Sequence, residues 1–174
     1  MGMKRLLGTM LTLALCLMPT GPAKAGPRAY MAQAPLGGQA PAPPDFATRA
    51  RGAGRVVIAA VEDMQPRFDV NEYGDRLIIT RAILRVEETL KGSPADVIEM
   101  DVEGGTIGDL TLHVSDLPAL HRGDRAVFFL AQTATTVHHP QGRGLGIVKL
   151  DASNHVAGST TSLADIKAAV RAGR

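Results

Sequence analysis

The chain has one cysteine, Cys16, and aromatic residues make up only 3% of it. Cys16 falls inside the N-terminal apolar stretch. A chain cut after that stretch has no cysteine and so no disulfide, no thiolate metal site and no cysteine nucleophile. Few aromatics leave little for bases to stack on, and binding nucleic acid also needs a basic groove. No apolar run is long enough to span a bilayer. The sequence has no G-x-S-x-G, no H-E-x-x-H and no G-x-G-x-x-G, and it has no repeat at solenoid spacing.

The N-terminus has the layout of a secretory signal. Lys4 and Arg5 form a positive start, residues 6–18 are apolar, and Ala23-Lys24-Ala25 places small residues at a cleavage site. Residues 1–25 are therefore expected to be a signal peptide, and the protein to be periplasmic or secreted. Leu15 before Cys16 is larger than a lipidation signal takes. The leader holds three of the 19 basic residues and none of the 17 acids, so its loss moves the net charge from +2 to −1. The basic balance belongs to the leader, which removes the electrostatic case for nucleic acid.

Residues 26–54 are rich in Pro, Ala and Gly and read as a flexible spacer, with a brief helical turn at 45–51. The folded domain is expected over 55–174. Its longest strand-like run is 77–92, LIITRAILRVEETLKG. Ile78, Thr80, Ala82, Leu84 and Val86 share the face expected to meet the core. Arg81 and Arg85 fall on the other face and are expected to be expendable. Residues 55–64 form its hairpin partner, stopped by Pro66, and Asn71–Asp75 make the turn, with Gly74 suited to positive φ. Residues 97–103 alternate, with Ile98, Met100 and Val102 inward and Glu99, Asp101 and Glu103 on a solvated acidic face. Residues 110–114 predict a short strand with Leu110 inward. Residues 125–132 are apolar on both faces, as in a central strand or one covered by a helix. Residues 146–150 predict a further strand. Ser162 and Asp165 form an acidic capping box for a helix over 162–172, whose apolar stripe is Leu163, Ile166 and Val170. Strands in runs with no helices between them exclude a parallel βαβ sheet.

The residues 57–61, Thr80, Val86-Glu87-Glu88, Leu90-Lys91-Gly92, Gly104-Gly105, Gly108, Gly123-Asp124, Phe128-Phe129-Leu130 and 144–146 form a pattern. It resembles a group of exported bacterial proteins of unassigned function with an OB-like, netrin/TIMP-type barrel. The resemblance covers roughly residues 55–150. It implies a mainly β fold, a small antiparallel OB-like barrel with a long bent second strand, here followed by a C-terminal α-helix. Netrin/TIMP modules are disulfide-rich and TIMP inhibitors chelate zinc through an N-terminal Cys, so that mechanism does not carry over.

Candidate chemistry is sparse. Imidazoles ligate zinc and copper, and His113, His121, His138 and His139 are the candidate metal ligands; His155 is the fifth histidine. Ser115-Asp116 with His121, and Ser159 after His155, are the nearest approach to a serine-hydrolase set. Gly142–Gly146 is glycine-rich but precedes a strand, so no helix N-terminus meets a phosphate there. The expected function is a non-enzymatic accessory or binding module of the cell envelope, without a cofactor, whose partner is a protein or envelope component. Binding is expected through loops at 104–109, 115–122 and 133–144, with Gly104, Gly105, Asp109, His121, Arg122 and Arg143 as the residues to watch. The alternatives are a metal-binding protein or metal-dependent enzyme using the histidines, and an assembly component that pairs through a sheet edge.

Overall fold

A computed structural model describes residues 45–71 and 73–174. The expected signal peptide, Cys16 and the first part of the expected spacer lie outside the described residues. The described unit is mainly β with two helices.

Two long strands dominate. Strand β1, Arg55–Val70, and strand β2, Arg76–Lys91, are 16 residues each and pair as an antiparallel hairpin. Both are rich in β-branched residues, which fit the pleat. The turn between them is closed by Asn71, whose Oδ1 accepts from the backbone N–H groups of Tyr73 and Asp75 at 3.0 and 2.9 Å, while Gly74 takes φ 89°. Pro66 does not stop β1, contrary to expectation. The pairing of β1 with a second neighbour ends at Ala60, so Pro66 stands where the ladder has only one side. A proline is tolerated in such an edge section.

A straight 16-residue strand would be about 50 Å long. Here the pair is bent by register shifts at Val56/Val57, Ile58/Ala59 and Val61/Asp63. Each shift adds a residue on one strand, and such bulges turn the strand and re-aim its side chains. Leu84 therefore faces one core while Leu90, further along β2, faces another.

Strand β3, Val97–Glu103, pairs antiparallel with β2. Strands β4, Gly105–Ile107, and β5, Leu110–Leu112, form a separate two-stranded sheet. Leu110 is 61% exposed in it, not inward as expected. Strand β6, Arg125–Leu130, pairs with β1 and with strand β8, Ile147–Leu150. Strand β7, Val137–His138, pairs parallel with β3, so the main sheet is mixed, in the order β7-β3-β2-β1-β6-β8. Just past β7 the chain turns to β6. Leu130 bridges Pro140, and the Ala131 N–H donates to His139 O at 2.9 Å. Residues 137–141 thus tie the outer edge of β3 to the end of β6.

Helix α1, Phe46–Gly52, falls within the stretch expected to be spacer, and its Phe46 and Ala50 are buried. The packed unit therefore begins ahead of Arg55. Asp45 caps the helix by accepting from Thr48 N–H at 2.9 Å. The Lys91 ammonium donates to the carbonyls of Ala50 and Ala53, both at 2.7 Å, which satisfies the negative end of the helix dipole. Helix α2, Leu163–Ala172, has the expected capping box of Ser162 and Asp165.

Alternation along β1 and β6 splits the core. Val56, Ile58, Val127 and Phe129 face both helices, and Phe129 stacks on Phe46 at 6.2 Å between ring centroids. Val57, Ala59, Val61, Ala126 and Phe128 face the opposite way, against Ala82, Leu84, Ile98 and Met100. Central strands buried on both faces read as continuous apolar runs, as RAVFFL does.

Candidate functional site

A cleft of about 430 Å³ opens beside the second core. Met64, Pro66, Thr80 and Val102 from the main sheet form one wall. Gly105 and Thr106 of β4, Leu112 of β5 and the loop through Leu117 and Leu120 form the other. The small sheet is held close by its glycines. A Cβ on Gly105, whose φ is 133°, would sit 2.3 Å from Thr80 Oγ1. That hydroxyl is buried and donates to Gly104 O at 2.6 Å. The Gly104-Gly105 pair is thus a close backbone crossing over β2.

A second cleft of about 320 Å³, where Asp69, Asp101, Glu103 and Arg143 join apolar side chains, lies by the far end of β3. Asp101 sits beside it, 8% exposed and engaged by two guanidinium groups. Arg81 donates through Nε to Oδ1 at 3.0 Å and through Nη2 to Oδ2 at 3.1 Å. Arg67 donates through Nη2 to Oδ2 at 2.7 Å. Burial alone raises the Asp101 pKa, but hydrogen bonds and charge from both arginines outweigh it and hold the carboxyl below its ordinary range. Glu103 accepts from Asn71 Nδ2 at 2.9 Å and from Arg143 Nη2 at 2.7 Å. Those bonds, the one from Asn71 foremost, hold it below its ordinary value too.

The expected solvated acidic face is therefore a correction. Glu99 and Asp101 share Arg81, and Glu103 pairs with Arg143. Arg81 bonds a buried carboxylate, which the expected surface role did not include, whereas Arg85 makes an exposed pair with Glu62. Carboxylates committed to guanidinium groups are poorly placed as general acids.

The structure sorts the other candidates. Gly104, Gly105, His113 and His121 line the first cleft. His139 and Arg143 line the second, where Arg143 also donates to Asp116 at 2.6 Å through Nε. Asp116 is thereby taken from the Ser115 and His121 grouping, and the Ser159 hydroxyl donates to Thr161. Arg122 pairs with Asp63, whose carboxyl is lowered to about 2 by hydrogen bonds from Gln65 and Arg122. Asp109 is exposed in the β4–β5 turn. His121 Nδ1 lies 3.5 Å from Asp124, and the backbone of His155 bridges that of Ser162. Among the described residues no three His, Asp or Glu side chains gather as a metal site requires.

His138 is separate from both clefts. Its Nδ1 is buried without a hydrogen-bond partner. Burial, and then the charge of Arg55, lower its pKa. Sequence reasoning missed Pro66 and Arg67, because β1 was expected to end before them, and it did not single out Met64 at the end of the expected strand. Among the described residues no helix is long and apolar enough to cross a membrane. The chain matches no protein-family model and no curated protein.

Proposed function

We propose that the protein is an exported, non-enzymatic binding module of the cell envelope, built on an OB-like barrel. One observation carries this reading. Two of the three loops expected to bind, 104–109 and 115–122, border the same apolar cleft, and the third, 133–144, borders the second cleft. Leu117 belongs to both. Concave, mostly apolar sites with a few polar groups are the usual form of a binding site. The tie from β3 through residues 137–141 to β6 supports the barrel, since it links strands from opposite sides of the sheet's central pair.

Pairing through a sheet edge is less well supported. The open section of β1 carries Pro66, Arg67 and Asp69, and proline and charge are how sheets keep such edges unpaired.

The test is photo-crosslinking in living cells from position 117, against position 153 on an exposed turn as control. The reading expects a recurrent adduct from 117 and none from 153. No adduct from 117, or the same adducts from both, would overturn it.

A further inference from the structure

We propose that the apolar cleft takes one medium-length acyl chain ending in a carboxylate, with His113 at its mouth meeting the headgroup. This rests on the binding-module reading and gives it a ligand class. The cleft volume of about 430 Å³ lies within the range typical of small-molecule sites, roughly 300–1,000 Å³. A protein partner instead needs a surface on the order of 1,000 Å² in all.

The lining asks for an apolar body. Met64, Val102, Leu112, Leu117, Leu120 and Ile147 supply its bulk. The polar side chains among them are already engaged. Thr80 bonds Gly104 O, and the hydroxyls of Thr106 and Thr111 bond each other at 3.0 Å. Both oxygens of Glu103 are taken by Asn71 and Arg143. A polar body in the cleft would lose its water and find few replacements.

The mouth asks for one acceptor. His113 is exposed, lines the cleft, and among the described residues has no hydrogen-bond or ion-pair partner. An imidazole N–H donates to a carboxylate. Asp63 is paired with Arg122, Asp116 with Arg143 and Asp124 with Lys149, so these acids do not face an anionic head unpaired. Met64 adds a flexible wall that accommodates chains of differing length.

The experiment is calorimetric titration of the purified protein with octanoate, decanoate and dodecanoate below their micelle thresholds. Each added methylene is expected to tighten binding about fourfold while the chain still fits. Ala119→Trp places a ring in the cleft from an exposed position and is expected to weaken decanoate at least about tenfold with the thermal midpoint unchanged. His113→Leu is expected to weaken decanoate about tenfold and leave decanol unaffected. The absence of saturable binding, an affinity indifferent to chain length, or full binding by Ala119→Trp would each overturn the assignment. Equal loss of decanol and decanoate in His113→Leu would overturn the role of His113. A protein crosslinked at 117 in cells, with no acyl binding in vitro, would overturn the ligand class and leave the binding module standing.

Discussion

Arg81 and Asp101 are opposite one another on β2 and β3, and two hydrogen bonds join guanidinium to carboxylate, 3.0 Å from Nε and 3.1 Å from Nη2. Arg67 reaches the same carboxylate from β1. One buried acid therefore joins three neighbouring strands. Removing it leaves Arg81 with Glu99 alone and Arg67 with Asp69 alone, both acids more exposed than Asp101, and breaking a buried pair costs about 3–5 kcal/mol. Asp101→Ala is expected to cost about 3 kcal/mol in urea unfolding followed by circular dichroism. Arg81→Gln, which leaves Arg67 in place, should cost about 1–2 kcal/mol. Equality of Arg81→Gln with Arg85→Gln would remove the network from the stability of the fold.

Acid acts on the same group. Its carboxyl is held below its ordinary value in the fold, so its contribution is complete above the unfolded value of about 3.9 and fades as pH falls below it. Unfolding free energy measured from pH 6 to pH 2 is expected to drop below about pH 4. Asp101→Asn starts lower and should show a shallower drop. Parallel curves for the two proteins would refute the assignment.

The histidine next to the tie between β3 and β6 acts at milder pH. The folded chain favours neutral His138, because of burial and then Arg55, with His139 beside it. A lowered histidine leaves stability untouched above the unfolded value of about 6.5 and erodes it as pH falls through that point. The protection factors for amide exchange at Ala131 and Gln141, whose N–H groups donate to His139 O and Phe129 O, should fall between pH 7 and pH 5. His138→Gln should abolish this fall. An unchanged fall in protection in that variant would count against His138 as its source.

The crossing over β2 offers a double-mutant test. Gly105→Ala would push a Cβ against Thr80 Oγ1 and strain a positive-φ position. It should cost about 2 kcal/mol or more, measured as a loss of thermal midpoint. Thr80→Ala removes the obstructing hydroxyl but also the bond to Gly104 O. The double variant should then lose less than the two single losses added together. Strict additivity would mean that the two groups do not meet.

The sequence made the local features plain. Alternation placed Leu84 and Ala82 inward, RAVFFL announced a strand covered on both faces, and Ser162 with Asp165 marked the start of α2. What it hid were relations between strands. Asp101 and Glu99 read as solvated because nothing local shows that β3 lies beside β2 in the register that brings Arg81 to them. Opposed rows of acids and arginines on adjacent strands were the available signal, but it needs the register to become visible. Pro66 misled because its tolerance depends on where β6 begins, which is set tens of residues later. Phe46 was lost among prolines and alanines because a short helix is recognised by what it packs on. The cleft was half legible: its glycines and loops were marked, while Met64 and Pro66 were not.

The contact between α1 and α2 has a consequence for the timing of folding. Ala47 and Gly173 are packed so tightly that a Cβ on the glycine would lie 2.4 Å from the Ala47 carbonyl oxygen. Phe46, near the start of the domain, shares its core with Ile166 and Val170, near the end. A growing chain therefore cannot complete this core until residues 163–172 are made, and until then residues 46–53 remain open to a protease or a chaperone. A C-terminal truncation ahead of residue 163 should be felt first at the opposite end of the sequence, as exposure of residues 46–53.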